Sequence, residues 1–407
     1  MIEGPDPVAR ATGLDLATFA ETYWARRPLL CRAADLPGDG FADLIDLGDV
    51  DELISRRGLR TPFLRMAKEG DVLGSGRFTR GGGAGAEISD QAADDKVLSE
   101  FAAGATLVLQ GLHRMWPPVI DYASALSTQL GHPVQVNAYV TPSQNTGFAP
   151  HYDVHDVFVL QFAGRKRWRI HEPVLTAPLR EQTWDARRDV VAARAAEEPL
   201  LDVVLEPGDA LYLPRGYVHT ASALGEVSGH LTIGVQPVTR AYLAEQLLGT
   251  LGDDPELRVS LPAGVDLTDP AVLETDLKAT RGALHAAIDR LSDEQVARSL
   301  RGHLERRTRP VPISPIAQVA AAAALDAADV VRLRPGLRCE LSPMGDRLAL
   351  RAIDRTTTLP AGLEPALARL LGGDRVRVAD LPGLEEADAL TLIRRLLREG
   401  IVVSDPS

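Results

Sequence analysis

Between residues 104 and 237 the chain is cut into short apolar runs by glycine, proline and aspartate, and this cadence restricts the fold more than any other feature. Residues 105–110, 134–141, 156–162, 166–170, 202–205, 210–213 and 230–238 each read as a strand. The run 134–141 alternates apolar and polar side chains, as a half-buried strand does. Gly164 sits between two runs as a hairpin turn, and Pro207, Gly208 and Asp209 form a second turn signal. Many short strands at close spacing point to a sandwich or barrel of the jelly-roll kind.

The flanks have a different character. Residues 15–55 read as helical: Leu16, Phe19, Tyr23 and Trp24 recur near helical spacing, and Pro28 stops that run. Residues 73–93 are rich in glycine and serine and read as a mobile loop. They lack the preceding strand and following helix of a phosphate-binding loop. Past Pro237, residues 240–306 are periodic at helical spacing, through Leu243, Leu247 and Leu248, then Leu277, Leu284, Ile288 and Leu291. Such amphipathic helices need a partner surface, which is either a second copy of the chain or the chain's own barrel. Residues 309–315 are a proline-rich break. Beyond it, a strand at 347–353, helices at 363–371 and 386–398, and a strand at 401–403 suit a small winged-helix module.

The 407 residues accommodate two to three domains at roughly 100–200 residues each. The expected class is therefore α+β. A jelly-roll barrel with flanking helices occupies 1–239, a helical dimerisation segment 240–308, and a winged-helix-like domain 309–407.

A formal net charge of -12 argues against a general nucleic-acid binder. It fits a solvated acidic surface, a basic partner or a small cofactor. In the C-terminal part Arg375, Arg377, Arg394, Arg395 and Arg398 are interleaved with acids, which favours a structural or assembly role there. Cys31 and Cys339 are far apart and make neither a disulfide framework nor a thiolate metal site, so a reducing cytoplasm is expected. The first residues do not read as a signal peptide, and no apolar stretch approaches the roughly 20 residues of a membrane span.

The chemistry is concentrated around His151 and Asp153. Two residues apart on a strand, their side chains share a face. A third ligand must come from elsewhere, and His219 is the candidate. Two histidines and one carboxylate on one face of a metal leave three positions open, the facial triad of non-haem iron(II) oxygenases. Glu206, Pro207, Gly208 and Asp209, then the run through Gly216, form a turn-strand-turn sequence that recurs in cupin-type barrels just before the distal histidine. His155 reads as a pocket or surface residue rather than a fourth ligand. His113, His132, His171, His230, His285 and His303 have no partner at ligand spacing.

These motifs resemble the Jumonji-C (JmjC) ribosomal oxygenases, which are 2-oxoglutarate-dependent protein hydroxylases. The likeness runs from Asn137 and Tyr139 through His151 and Asp153, then Gln161, Gly164, Lys166 and Trp168, and on to Tyr212 and Gly216. It also takes in Tyr23, Trp24 and the segment from Arg27 to Leu30. Carried over, the resemblance implies Fe(II) held by His151, Asp153 and His219, with 2-oxoglutarate and O2 as cosubstrates. It places Lys166 where the family sets a basic residue against the distal carboxylate of 2-oxoglutarate. Lysine, rather than arginine, stands there in members that resemble histidine hydroxylases. Asn137 and Tyr139 match positions lining the cosubstrate pocket, and Thr232 is either a pocket hydroxyl or an ordinary strand threonine.

The implied reaction is oxidative decarboxylation to succinate and CO2 coupled to hydroxylation of an unactivated carbon. The implied substrate is histidine or arginine of a basic ribosomal protein, with a homodimeric enzyme and no membrane or direct nucleic-acid partner. Rival readings are a hydroxylase of a peptide natural product or small molecule, a protein lysine demethylase, and a non-catalytic metal-binding scaffold. Residues 180–199, long and arginine-rich, fit no part of the family pattern.

Overall fold

The computed structural model describes residues 6–68, 70–143, 149–249, 251, 254–264, 266, 268–352 and 354–405. The barrel is built from β1 (Leu29–Cys31), β2 (Leu64–Lys68), β3 (Thr106–Leu109), β4 (Val134–Thr141) and β5 (Asp156–Ala163). It continues with β6 (Lys166–His171), β7 (Leu201–Leu205), β8 (Ala210–Leu213), β9 (Val218–Ala223) and β10 (Ser228–Val235). The larger sheet has the order β1-β8-β5-β10-β4-β3-β2 and ends on the short strand Asp71–Val72, and the smaller sheet has the order β7-β6-β9. Every pairing in both is antiparallel. Two facing antiparallel sheets of this kind make the expected jelly roll.

Alternation along the strands gives each face its own task. Val136, Ala138 and Val140 of β4 and Leu231, Ile233 and Val235 of β10 join Phe158 and Leu160 of β5 in the main core. That core is completed by Phe19 and Ile45 from the N-terminal segments and by Leu112 and Leu126. The helix around Leu126, Pro117–Leu130, starts on proline and stops at Gly131, whose φ of 71° suits a residue without a side chain. On the other face, Val157, Val159, Leu211 and Leu213 of the larger sheet meet Trp168, Ile170 and Leu205 of the smaller one. At about 1.5–3 kcal/mol for each fully buried side chain, the two clusters fix the sheets firmly. The remaining interior is lined by polar side chains and left open.

Two expectations for the N-terminal part are corrected. Residues 15–55 are not continuously helical: helix Leu16–Thr22 gives way to a turn at Tyr23 and Trp24, then β1, and helix Leu47–Arg56 follows. Trp24 stacks on His132 and Tyr212, with centroids 5.4 Å and 6.1 Å away, so its spacing serves core packing rather than a helix. The glycine-rich segment 73–93 contains a small hairpin, Thr79–Arg80 paired with Gln91–Ala92, after a turn of 3-10 helix at Ser75–Arg77.

Within the barrel, β2 and β9 were not legible as strands, since both carry polar side chains toward the open interior. The last strand is Ser228–Val235 rather than 230–238, because pairing stops before Gln236 and Pro237. Residues 240–306 form helices Arg240–Gly249, Pro270–Arg290 and Asp293–Arg307. The middle one buries Ala287 but exposes Val272, Leu277 and Ile288.

Beyond the proline-rich break lie helix Pro315–Ala324, β11 (Val330–Leu333), β12 (Cys339–Met344), β13 (Arg347–Ala352) and β14 (Arg355–Pro360). Helix Glu364–Leu371, β15 (Val376–Arg377), helix Glu386–Arg398 and β16 (Val402–Ser404) complete this part around a core of its own. The expected strand end at residue 353, like residues 1–5 of the expected N-terminus, lies outside the described residues.

Candidate metal centre

His219 is carried by β9, which pairs with β6 on one side. On its other side stands His151. The His219 N–H donates to the His151 carbonyl at 2.8 Å, and the His151 N–H donates to the His219 carbonyl at 3.3 Å. His151 thus forms a single bridge, and Asp153 lies in irregular chain beyond it. The expectation that both share a strand face is corrected in its element, although the two side chains do converge. The ligand atoms of His151, Asp153 and His219 all lie within 4.8 Å of one another.

The turns flanking β8 hold this arrangement. The Asp209 carboxylate accepts the Ala33 and Glu206 N–H groups, at 2.8 Å and 3.0 Å, and pairs with Arg32 at 2.7 Å. Just before His219, Gly216 donates its N–H to the Asp153 carbonyl at 3.0 Å. Its φ is +93°, and a Cβ there would stand 2.4 Å from the Leu175 carbonyl oxygen. Gly216→Ala should therefore cost more than the about 1–2 kcal/mol of a left-handed residue alone. We expect a lower thermal midpoint and weaker Co(II) binding, read by calorimetry, because the Asp153 backbone loses its anchor.

The imidazoles are set for coordination. His151 Nδ1 lies 2.8 Å from the Ala149 carbonyl and His219 Nδ1 lies 3.1 Å from the Tyr217 carbonyl. A carbonyl only accepts, so each Nδ1 carries the proton and each Nε2 keeps a lone pair for a metal. Burial, with His151 close by, pushes His219 down to about 4, so its ring is neutral near pH 7. Burial alone would raise the Asp153 carboxyl, but the imidazoles of His155, His219 and His151 more than offset it and hold it below its usual range. Two neutral nitrogens and one carboxylate on one side of a point fit a divalent metal with open positions.

The cluster opens into a cavity of about 480 Å³ inside the barrel. Lys166, only 3% exposed, lines the same cavity. Its ammonium donates to Thr141 Oγ1 at 3.1 Å, and burial pushes its pKa down to about 7. Among the described residues no carboxylate pairs with it. Two more buried donors or acceptors beside the cavity, Trp168 Nε1 and His230 Nδ1, have no hydrogen-bond partner among the described residues. His230 stacks on Tyr139 with centroids 5.2 Å apart, and burial together with the Lys166 charge holds it well below its usual range. An enclosed cation with unsatisfied polar neighbours is costly unless a ligand pairs with it. A dicarboxylate fits that requirement.

Each of the other expected residues lines this cavity. Asn137 accepts the Gly111 N–H at 3.0 Å. The Tyr139 hydroxyl is pushed up to about 12, by burial and then by the Asp153 charge. Thr232 faces inward beside them, on the pocket side of the alternation. His155 lines the cavity outside the ligand cluster, packed where a Cβ on Gly234 would meet its Cδ2 at 2.3 Å.

Arg65, Thr141, Trp168 and His230 also stand at this site, and none of them has a site role in the sequence pattern alone. Strand alternation could have found three of them: Thr141 is two beyond Tyr139, Trp168 two beyond Lys166, and His230 two before Thr232.

Comparison with known proteins agrees with this geometry. Residues 118–243 match the JmjC domain family. Ribosomal oxygenase 1 of Gallus gallus is 32% identical over 251 residues, which cover 60% of this chain and 40% of that protein. The bifunctional lysine-specific demethylase and histidyl-hydroxylase NO66 of Drosophila persimilis is 29% identical over 237 residues, 58% of this chain and 32% of that one. The chain thus spans two-fifths or less of the length of these curated relatives.

Among solved structures, the Escherichia coli ribosomal oxygenase YcfD aligns with a TM-score of 0.54 at 20% identity, over 96% of this chain and 98% of that one. The same protein in complex with cobalt and 2-oxoglutarate aligns with a TM-score of 0.54 at 19% identity, over 97% and 99% of the two chains. These alignments establish the shared fold along nearly the whole chain.

Proposed function

We propose that this chain, which carries a JmjC domain, is an Fe(II)- and 2-oxoglutarate-dependent oxygenase that hydroxylates a protein side chain. The observation that carries this reading is one cavity lined both by the His151, Asp153 and His219 cluster and by the buried, uncompensated Lys166 ammonium. His151, Asp153 and His219 would hold the metal, which would supply the site for the keto acid and O2. Lys166, steadied by Thr141, pairs with the distal carboxylate. Asn137, Tyr139 and Thr232 line the cosubstrate, with Trp168 and His230 offering further polar atoms. When bound, the metal and 2-oxoglutarate supply an oxidative decarboxylation by O2 to succinate and CO2, with one oxygen atom passed to the substrate carbon.

The substrate we propose is a basic ribosomal protein, in keeping with the names of the relatives and with a net charge of -12 that would attract it. Within that class the cavity favours histidine over arginine. Asp153 is the lone carboxylate lining it among the described residues, and the metal engages it. Arg65, Arg114 and Lys166 line the same space and would repel a guanidinium or a methylated ammonium. Incubating the enzyme with ribosomal proteins, iron and 2-oxoglutarate should add one oxygen atom to a histidine, read by peptide mass spectrometry. Oxygen on arginine instead, or loss of a methyl group from lysine, would contradict this assignment.

Cosubstrate binding should depend on pH through Lys166. Below about 7 the lysine is already charged before binding, whereas above it a proton must be taken up to form the ion pair. Affinity for 2-oxoglutarate should therefore fall as pH rises from 7 to 9. Calorimetry at pH 8.5 in buffers of different ionisation enthalpy should detect that proton uptake. Binding that is flat over this range, with no proton exchange, would remove Lys166 from the role.

The remaining organisation is part of the same proposal. Residues 1–239 form the catalytic part, 240–308 a dimerisation segment and 309–407 a winged-helix-like module. Exposed Leu277 and Ile288, about three turns apart on one side of helix Pro270–Arg290, supply apolar surface for a second copy of the chain. We place the protein in the cytoplasm without a membrane or nucleic-acid partner. Among the described residues no helix is long and apolar enough to cross a membrane.

A further inference from the structure

A second cavity, of about 640 Å³, lies where helix Pro117–Leu130 meets the proline-rich break and the loop between β11 and β12. Its lining includes Arg114, Arg307, Arg309, Arg334 and Arg338, and among the described residues no aspartate or glutamate. That composition runs against a chain whose net charge is -12.

Two of the guanidinium groups are fixed by neutral acceptors: Arg307 donates to Gln236 Oε1 and Arg334 to the Val311 carbonyl, each at 2.7 Å. Those bonds orient the groups without cancelling their charge. The guanidinium groups of Arg114, Arg309 and Arg338 have no hydrogen-bond or ion-pair partner among the described residues. Burial lowers the pKa of Arg114 and of Arg334, and the Arg309 charge lowers Arg114 further, the signature of like charges gathered without a counter-ion. The same lining also carries apolar side chains, Ile120, Val134, Val311 and Leu337.

We propose that this cleft binds a small polyanion that joins a ring system to two or more phosphate groups, a nucleoside polyphosphate in chemical class. Guanidinium forks match phosphate oxygens bidentately, and the apolar side chains among them take the ring. The volume falls within the range of about 300–1,000 Å³ found for small-ligand sites. A long nucleic-acid strand fits less well, because the chain as a whole carries a net charge of -12. The site is distinct from the metal cluster, although His113 and Arg114 line both cavities.

The test is calorimetric titration of the full chain with adenosine triphosphate, inorganic tripolyphosphate and a short oligouridylate, without iron or 2-oxoglutarate. We expect saturable binding of the nucleotide, with tripolyphosphate weaker for want of the ring. The double variant Arg309→Glu and Arg338→Glu should lose at least about tenfold in nucleotide affinity while keeping its thermal midpoint. If charge reversal lowers the midpoint, Arg309→Gln with Arg338→Gln serves in its place. Absence of saturable binding, or unchanged affinity in the folded variant, overturns the site. Tripolyphosphate binding as tightly as the nucleotide, or oligouridylate displacing it, overturns the assigned ligand class.

Discussion

Replacing His219 with alanine should leave a folded protein that no longer binds a divalent metal tightly and turns over no 2-oxoglutarate above the rate without enzyme. The reason is coordination arithmetic. His151 and Asp153 alone supply two ligands, and the facial set needs three. The fold should survive, because β9 is held by main-chain bonds to β6 and to His151 that alanine keeps. The lost side chain contributes one hydrogen bond, to the Tyr217 carbonyl, worth about 1 kcal/mol. Co(II) titration, succinate assay and thermal unfolding on the same preparation separate these effects. A His219→Ala protein that still forms succinate at the parent rate would place the metal elsewhere.

Lys166→Met should act with opposite signs on stability and on function. An ammonium buried without a counter-ion destabilises the metal-free protein, and an apolar side chain of similar length relieves that cost. Replacing buried charge by packed apolar groups stabilises by about 1–4 kcal/mol where it succeeds. The gain has a definite pH window. With a folded pKa of about 7 against 10.5 unfolded, the unfolded chain binds more protons between those values, so parent stability rises with pH there. The advantage of methionine is therefore largest at or below pH 7 and fades toward pH 10.5.

Function moves the other way. Loss of one partner of a buried charge pair costs about 2–5 kcal/mol, which corresponds to roughly 30- to several-thousand-fold weaker 2-oxoglutarate binding. Metal affinity should stay near the parent value. A variant that is less stable at pH 6 yet binds 2-oxoglutarate normally would contradict both halves of the argument.

The parts legible in the sequence were those where local chemistry and final geometry coincide. Strands β4, β5 and β6 carry unbroken apolar or alternating runs, and Gly164, at a φ of +56°, marks the turn between the last two. The helix Glu386–Arg398 shows its periodicity plainly, with Leu392, Ile393, Leu396 and Leu397 buried. What escaped was fixed by tertiary contact. Strand β9, with His219, Thr220 and Ser222, has too much polarity to read as a strand: His219 faces the cavity, and Thr220 and Ser222 stand on the opposite face of the strand. Trp24 mimics a helical spacing but is placed by its stack on His132 and Tyr212. His230 resembles an ordinary histidine until β10 pairs with β4 and brings it over Tyr139. The metal ligands themselves were accessible because a histidine and an aspartate two apart, with a distant histidine after a glycine turn, already suggest convergence.

The most direct measurement is anaerobic visible spectroscopy of the full chain titrated with Fe(II) and then 2-oxoglutarate. A charge-transfer band should grow to one equivalent of each, and should be absent with succinate in place of 2-oxoglutarate and absent in His219→Ala. If the parent protein binds both and yields no band, the keto acid does not meet a metal at His151, Asp153 and His219, and the proposed chemistry is contradicted.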